Sequence, residues 1–293
     1  MLMQIVVTGA AGTLGSKLWP LLEAAPWCSG ATGIDIRPRP EGSRHGSIVA
    51  DLRDPNDQRW IALVEAADAV VHFATLDPAP ASSWASATAA IDMTANLLAH
   101  AGRRRPCRFI FASSNHAMGG YKDLPIPGDG KLRMGTEPRA GTRFFLGGGA
   151  YSRGAAYGAS KLLGERVVGA MAAASGGLLS GVSLRIGYCQ RGENRPATLL
   201  GSGGGPPQAW HGQPEADQRR DLTWFRNMWL SDGDFRRLLE AALTAETRAW
   251  PGPAIVVNGV SANTGMAWDL DEARRWIGYV PQDDVWAGLA GTD

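Results

Sequence analysis

Hydrophobic positions along this chain fall into two alternating patterns. Short apolar runs predict β-strands over residues 4–8, 32–36, 69–74, 108–113, 182–187 and 254–258. Between these runs, apolar residues recur at helical spacing and predict helices over residues 13–25, 57–67, 85–102, 155–174, 233–245 and 269–277. Strands that alternate with helices indicate a parallel sheet with helices on both faces, so we expect a doubly wound α/β fold. Pro20 lies inside the first predicted helix, and we expect it to kink or shorten that helix.

A glycine-rich turn joins the first predicted strand to the first predicted helix. In the sequence Gly9-x-x-Gly12-x-x-Gly15, the first glycine permits a tight turn, the second lets the backbone approach a pyrophosphate, and the third lets the helix lie close to the sheet. Asp35 ends the second apolar run about 20 residues later, where a carboxylate binds the ribose of a dinucleotide. These features predict a Rossmann-type site for NAD, because a carboxylate there repels the 2′-phosphate of NADP. Arg37 lies two residues further on, so strictness for NAD stays open.

Tyr157 and Lys161 are four residues apart in a predicted helix and therefore project from one face. A tyrosine with a pKa near ~10 needs a shift of roughly 3 units, or about 4 kcal/mol, to act as a base at neutral pH. An ammonium about 4 Å away supplies ~4 kcal/mol at an effective dielectric near 20. The pair therefore predicts a device for proton transfer.

The glycine turn, Ser113-Ser114 at the end of a predicted strand, and Tyr157-x-x-x-Lys161 together resemble the extended branch of the short-chain dehydrogenase/reductase family, over nearly the whole chain. The resemblance implies a catalytic triad in which Ser114 holds the substrate oxygen beside Tyr157 and Lys161. His72 ends a predicted strand, and we expect a packed structural histidine there rather than a catalytic one. The implied cofactor-binding residues are Gly9, Ala11, Gly12, Thr13, Leu14, Gly15, Asp35, Asp51, Leu52, Phe73, Ala74, Thr75, Tyr157 and Lys161.

Within that family, four stretches resemble uronate dehydrogenases, which oxidise the C1 hydroxyl of a sugar acid to an aldonolactone with NAD. They are residues 111–119, which include Ser114-Asn115-His116, and residues 229–235, 257–263 and 276–284. The resemblance implies that Asn115 and His116 line a sugar pocket, since both form hydrogen bonds with hydroxyls. The implied substrate-binding residues are Asp77, Ser114, Asn115, His116, Tyr157, Tyr188, Trp224 and Arg226.

The chain also departs from uronate dehydrogenases. Trp224 stands where those enzymes have the arginine that binds the substrate carboxylate, and Tyr188 replaces a serine. Residues 135–152 and 190–221 are longer than in that family, so the substrate is open between a carboxylate, a sulfonate and an uncharged sugar. The second long segment and the residues after it offer several candidate cations for an acidic substrate: Arg191, Arg195, Arg219, Arg220 and Arg226.

Composition indicates one soluble unit. The 293 residues are 44% hydrophobic, enough for a sizeable core. We expect a dinucleotide-binding core over about 1–187, and a mostly substrate-binding region over about 188–293 that returns one strand to the core. Lys+Arg 29 against Asp+Glu 28 gives no field that favours nucleic acid.

The remaining features bear on location and partners. Three cysteines form neither a metal motif nor a disulfide framework, no apolar run approaches the ~18 residues of a membrane span, and the first residues lack a secretion signal. We therefore expect a cytoplasmic protein without a metal. The small residues of the 155–174 helix resemble the dimer surface of this family and imply a homodimer or higher homo-oligomer.

The glycine turn, Asp35 and the Tyr157–Lys161 pair, together with the resemblance to uronate dehydrogenases, predict an NAD-dependent dehydrogenase that acts on a sugar or sugar acid. One alternative is an epimerase or dehydratase of a nucleotide sugar that keeps NAD bound; Asn115 stands where a dehydratase has an acidic residue, which disfavours it. The other is a non-catalytic NAD-sensing regulator, which has no need of an intact Ser114, Tyr157 and Lys161.

Overall fold

The structure, a computed structural model, describes residues 2–39, 44–79, 81–199 and 213–290. Within these ranges, seven parallel strands form one sheet in the order β3-β2-β1-β4-β5-β8-β9, and β6 and β7 form a separate antiparallel hairpin. The strands are β1 (Met3–Thr8), β2 (Cys28–Asp35), β3 (Gly46–Val49), β4 (Ala69–His72), β5 (Cys107–Ser114), β6 (Arg143–Gly147), β7 (Ala150–Arg153), β8 (Leu179–Ile186) and β9 (Ala254–Gly259).

Helices cover both faces of the sheet. On one face, Leu18 and Leu22 of the first helix share a buried cluster with Leu239 of the sixth. On the other face, Trp60 and Val168 belong to a second cluster built by the second, third and fourth helices. The helices are α1 (Thr13–Ala24), α2 (Gln58–Ala66), α3 (Trp84–Leu98), α4 (Ala155–Ala174), α5 (Glu215–Asn227), α6 (Asp232–Thr244), α7 (Asp271–Ile277) and α8 (Val285–Leu289). The predicted doubly wound α/β fold is confirmed.

The strand order determines where a ligand can bind. From β1 the chain moves to β2 and β3 on one side, then returns to place β4 and β5 on the other. The carboxyl ends of β1 and β4 therefore flank the point where the order reverses, which is the usual ligand position in such sheets. Val7 pairs with Gly33 on one side and Val71 on the other, and the central strands are buried on both faces.

The structure departs from the predicted elements in several places. The short edge strand β3, the β6–β7 hairpin, α5 and the short helix α8 were not predicted. The burial pattern of β3 is mostly exposed, and the buried positions of α5 are Asp221 and Phe225, so an apolar period does not mark either element. Pro20 does not shorten α1, because burial of Leu18 and Leu22 against the sheet offsets the hydrogen bond that proline removes.

Some outer surfaces are apolar. Trp84 on α3 and Leu163 and Met171 on α4 are exposed, while Gly164 allows the ring of Phe111 to pack directly on α4. The homo-oligomer inferred from this helix stays a prediction. Among the described residues, no helix is long and apolar enough to cross a membrane.

Candidate active site

A cleft of about 1080 Å³ opens along the carboxyl ends of the parallel strands. It contains most of the residues that the sequence assigned to the cofactor and all three assigned to catalysis. The predicted residues that line it are Gly9, Gly12, Thr13, Leu14, Asp35, Asp51, Leu52, Phe73, Ala74, Thr75, Asp77, Ser114, Tyr157, Lys161 and Tyr188. The other predicted residues are not among its described lining: Ala11, Gly15, Asn115, His116, Trp224 and Arg226.

The glycine turn requires its glycines. Gly9 has a φ of +66°, and a Cβ there would lie 2.7 Å from the backbone nitrogen of Ala74. A Cβ on Gly15 would collide with the Gly9 carbonyl. Gly12 caps α1 without a side-chain hydrogen bond, and the first turn contains no acidic residue. The amino end of α1 can therefore receive an anion, which fits the pyrophosphate of NAD.

Asp35 lies at the end of β2 with its side chain 8% exposed. Its Oδ2 accepts a hydrogen bond of 3.0 Å from the Ala11 nitrogen, and its Oδ1 accepts one of 3.0 Å from the Arg37 nitrogen. These bonds fix the carboxylate at the rim of the cleft, where it can accept ribose hydroxyls. The Nε of Arg37 is 3.7 Å from the same carboxylate, so Asp35 partly neutralises the cation that favours NADP.

Ser114, Tyr157 and Lys161 meet on the wall formed by β5 and α4. The Nζ of Lys161 is 5.3 Å from the centre of the Tyr157 ring and 5.3 Å from that of Phe111. Ser114 is the last residue of β5, and its Oγ accepts a hydrogen bond from the His116 nitrogen at 3.2 Å. The strand end and the first turns of the helix thus bring a hydroxyl, a phenol and an ammonium together.

Burial dominates the acid–base properties of this group. It raises the pKa of Tyr157, an effect that the Ser114 hydroxyl opposes, and it lowers the pKa of Lys161 to about 8. The sequence-based expectation that Lys161 lowers the pKa of Tyr157 neglected this desolvation. Since burial disfavours tyrosinate and ammonium alike, the two charges are easier to form together than singly.

A buried ion pair lies directly behind the three residues. Glu165, one turn after Lys161 on α4, accepts hydrogen bonds from Ser113 Oγ at 2.5 Å and from Arg185 Nε and Nη2 at 2.9 Å. Arg185 is on β8, and Ser113 precedes Ser114. The carboxylate therefore joins β5, α4 and β8 behind the cleft. The sequence analysis missed this network, since its members are 20 and 52 residues apart.

His116 packs edge-on against the Tyr157 ring, with centroids 5.7 Å apart. Its Nδ1 forms a hydrogen bond of 2.6 Å with Thr142 Oγ1. Burial, together with the nearby Lys122 cation, lowers the pKa of His116 to about 4, so the ring is neutral at pH 7. Thr142 lies in the long 135–152 segment, and no local sequence pattern distinguishes this threonine.

The first long segment packs against α5 beside His116. Phe144 of β6 lies 5.6 Å from the His116 ring and 6.0 Å from Phe225 of α5, and Phe225 lies 5.9 Å from Tyr188. An aromatic chain thus connects the hairpin, α5 and the cleft. The sequence analysis assigned neither phenylalanine.

Ion pairs also hold α5 in place. Lys122, the last residue of a 3-10 helix (Asn115–Lys122), forms a fully buried ion pair of 2.7 Å with Asp221 of α5. Arg143 of β6 contacts Asp123 at 3.0 Å and Asp217 of α5 at 3.6 Å. The 200–212 part of the second long segment lies outside the described residues.

Three predicted substrate residues have polar atoms without hydrogen-bond partners among the described residues. The atoms without partners are Oδ1 and Nδ2 of Asn115, Nε1 of Trp224 and Nε of Arg226. Trp224 packs against Trp268 in a tilted arrangement with ring centroids 4.7 Å apart, and the Arg226 guanidinium is 5.5 Å from the Trp286 ring. Asn115 is 1% exposed, so its free amide is buried.

His72 agrees with the expectation of a packed structural histidine. It is 2% exposed, and its ring nitrogens form hydrogen bonds with Thr8 Oγ1 at 2.7 Å and Thr94 Oγ1 at 3.0 Å. Burial, with a smaller effect from Lys161, lowers its pKa to about 3.

Comparison with known proteins agrees with this geometry. The chain is 27% identical to an NAD-dependent glucose-6-phosphate dehydrogenase of Haloferax volcanii over 292 residues, which cover 96% of this chain and 93% of that protein. It is 28% identical to a uronate dehydrogenase of Pseudomonas syringae pv. tomato over 281 residues, 96% of this chain and 82% of that protein. A crystal structure of a glucuronic acid dehydrogenase from Chromohalobacter salexigens superposes with a TM-score of 0.72 at 25% identity, covering 99% and 88% of the two chains.

Residues 5–189 match the family model described as the NAD dependent epimerase/dehydratase family. This span includes the glycine turn, Asp35, Ser114, Tyr157 and Lys161. The chain therefore belongs to the NAD dependent epimerase/dehydratase family, the extended branch of the short-chain dehydrogenases/reductases that its sequence motifs predicted.

Proposed function

We propose that this protein is an NAD-dependent dehydrogenase that oxidises the C1 hydroxyl of a sugar or sugar acid to an aldonolactone. The observation that carries the proposal is a single cleft that contains both Tyr157 with Lys161 and the features of a dinucleotide site. Oxidation of an alcohol needs a hydride acceptor and a proton acceptor next to the same carbon. The similarity to sugar and uronate dehydrogenases over 96% of this chain supports a sugar substrate.

Each catalytic residue has a role that follows from its position. Bound NAD would supply the hydride acceptor. Tyr157 takes the proton of the sugar hydroxyl, and Ser114 holds the hydroxyl oxygen in place. Lys161 has a pKa of about 8, so it is mostly charged at pH 7 and stabilises the phenolate form of Tyr157, which must be present before Tyr157 can accept the proton.

The neighbouring groups suit a sugar. Asn115 has two donors and an acceptor that no described residue engages, and His116 is neutral with Nδ1 fixed by Thr142. Such neutral polar groups recognise hydroxyls without requiring charge. For an acidic sugar, we propose Arg226 as the partner of the anion, because its Nε lacks a hydrogen bond among the described residues.

Reduction of NAD tests the function. Purified protein would be incubated with NAD and a panel of uronic acids, neutral aldoses, sugar phosphates and sulfonated sugars, and absorbance at 340 nm would be recorded. We expect NADH to form with at least one class and not with the Tyr157→Phe variant. If no sugar reduces NAD while heat-denatured protein releases bound NAD, the dehydrogenase proposal fails in favour of an epimerase or dehydratase that retains its cofactor or of an NAD-sensing regulator.

Comparison of matched sugars tests Arg226. If the substrate is acidic, Arg226→Met should raise KM for the acid by roughly 10–100-fold, which equals about 1.4–2.8 kcal/mol, and leave the neutral counterpart nearly unchanged. Equal losses on both sugars would assign Arg226 a structural role on Trp286.

A further inference from the structure

The turn that follows β8 presents an arginine to the cleft. Gln190 and Arg191 line the cleft directly after Tyr188 and Cys189, and the side chain of Arg191 is exposed. No sequence motif assigns a cofactor role to this turn, which lies at the start of the long 190–221 segment. The position of the turn and the charge of Arg191 nevertheless indicate what the turn can bind.

Asn194 holds this turn in a fixed shape. The residue is 5% exposed, and its side chain accepts a hydrogen bond from the Gln190 nitrogen at 3.2 Å. The same side chain donates to the carbonyl oxygens of Tyr188 at 2.9 Å and Leu230 at 2.7 Å. Trp229 Nε1 donates to the Asn194 carbonyl at 3.1 Å. Buried, fully bonded amides of this kind make a loop rigid, so Arg191 projects from a preformed support.

Lys17 fastens the same turn to α1. Its Nζ donates a hydrogen bond to the Gly192 carbonyl and forms an ion pair of 2.6 Å with Asp232. Lys17 lies four residues after Thr13, the first residue of α1, which is about one helical turn. The residue that precedes Gly192 is Arg191. The backbone next to Arg191 is therefore fixed to α1, and Arg191 lines the same cleft as Gly9, Gly12 and Thr13, where the end of α1 is open to an anion.

The charges around the cleft single out Arg191. Of the arginines that line the cleft within the described residues, Arg37 is 3.7 Å from Asp35 and Arg53 is 2.6 Å from Asp51. Arg191 forms no hydrogen bond or ion pair with any described residue. The other arginines of its segment also have carboxylate partners: Arg195 with Glu193, Arg219 with Glu215, and Arg220 with Asp217.

We propose that Arg191 binds the pyrophosphate of NAD, together with the amino end of α1. A planar guanidinium can form two parallel hydrogen bonds with a phosphate and is always charged. The inference requires the dinucleotide site of this family and does not depend on which sugar is oxidised. An anionic sugar is the other source of negative charge in the cleft, so the experiment separates the two.

Binding without turnover tests the proposal. Dissociation constants for NAD and for ADP-ribose, which keeps the pyrophosphate but lacks nicotinamide, would be measured by calorimetry. Adenosine, which has no phosphate, would be titrated by ligand-observed NMR. Arg191→Met should weaken the binding of NAD and of ADP-ribose by about 10-fold and leave the binding of adenosine unchanged. Arg191→Lys should retain part of the affinity.

The matched control is Arg195→Met, which removes an exposed arginine of the same segment that is already paired with Glu193. We expect it to change all three constants less than twofold. The proposal is overturned if Arg191→Met leaves the dissociation constants of NAD and ADP-ribose within twofold of wild type, or if it weakens adenosine binding by the same factor. It is also overturned if the variant raises KM for an acidic sugar alone, since Arg191 would then bind the substrate anion.

Discussion

Lys161 and Tyr157 lie side by side in a buried wall of the cleft. The Lys161 ammonium lies 5.3 Å from the Tyr157 ring centre, and Lys161 is only 5% exposed. At roughly 5 Å and an effective dielectric near 20, opposite charges attract by about 3 kcal/mol. Burial of Tyr157 favours its neutral phenol, and the attraction to the Lys161 ammonium opposes this effect. We therefore expect the loss of either residue to disable the other.

Tyr157→Phe should lower kcat by at least 100-fold and leave the dissociation constant of NAD within twofold of wild type, because the hydroxyl transfers a proton and does not hold the cofactor. Steady-state kinetics and calorimetry measure the two effects. Tyr121→Phe is the matched control: its hydroxyl donates to the Glu137 carbonyl at 2.8 Å, away from the described lining of the cleft. A Tyr157→Phe enzyme with more than a tenth of the wild-type activity would refute the assignment.

Lys161→Met should lower kcat and should also weaken the binding of NAD. The variant removes the cation beside Tyr157 and a group that lines the cofactor cleft. The same calorimetric and kinetic measurements apply. A loss of kcat with unchanged NAD affinity would restrict Lys161 to its effect on Tyr157.

Asp35→Asn should narrow the preference for NAD over NADP. The amide keeps an oxygen that can accept the Ala11 hydrogen bond but removes the charge that repels a 2′-phosphate, leaving Arg37 unopposed. The ratio of kcat/KM for the two cofactors measures the change, and Asp35→Ala should shift it in the same direction. If wild-type protein already uses both cofactors equally, Arg37 outweighs Asp35.

Asp221→Asn should destabilise the protein by about 3–5 kcal/mol, because it leaves the Lys122 ammonium buried without a counter-ion. Urea unfolding measures the free energy. Lys122→Met combined with Asp221→Leu should recover most of the loss. Glu215→Gln, in the exposed pair with Arg219, should change stability by less than about 0.5 kcal/mol. Similar losses from the buried and exposed pairs would contradict this reasoning.

Acid should destabilise the fold partly through His72. Its pKa is about 3 in the folded protein against roughly 6.5 when unfolded, so between these values the unfolded chain binds a proton that the folded chain does not. Stability is therefore present above pH 6.5 and is lost as pH falls toward 3. About 1.4 kcal/mol should be lost by pH 5.5.

Urea unfolding of wild type and of His72→Gln at pH 7.5 and 5.5 tests this pH-dependent contribution of His72 to stability. The variant should be less stable at both pH values, yet its pH-dependent loss should be smaller by about 1.4 kcal/mol. Equal pH-dependent losses in the two proteins would show that His72 is not the group responsible.

The cofactor half of the cleft was predictable because its determinants are local. Gly9 must adopt a positive φ at one fixed turn, Asp35 ends the next strand, and Tyr157 and Lys161 share one helix face. Each of these constraints acts within a few residues, so the sequence records it directly. The family match agrees with the predicted NAD cofactor, and one cleft brings most of the predicted cofactor-binding residues together.

The substrate side was less predictable because its contacts are long-range. Thr142 meets His116 across 26 residues, and Lys122 meets Asp221 across 99. Neither pairing has a period or motif. In α5 one of the two buried positions is a carboxylate, so the helix lacks the apolar stripe that identifies α6. For this reason the sequence did not identify Phe225 as a neighbour of the site.

Transfer of an isotope from the sugar tests the central claim most directly. The sugar that reduces NAD in the substrate panel would be prepared with deuterium at C1, and the products would be analysed by NMR and mass spectrometry. The account predicts that the deuterium appears in free reduced cofactor, that an aldonolactone forms in equal amount, and that Tyr157→Phe abolishes both. A label that stays on the sugar, or free NAD that is never reduced, would contradict oxidation at C1.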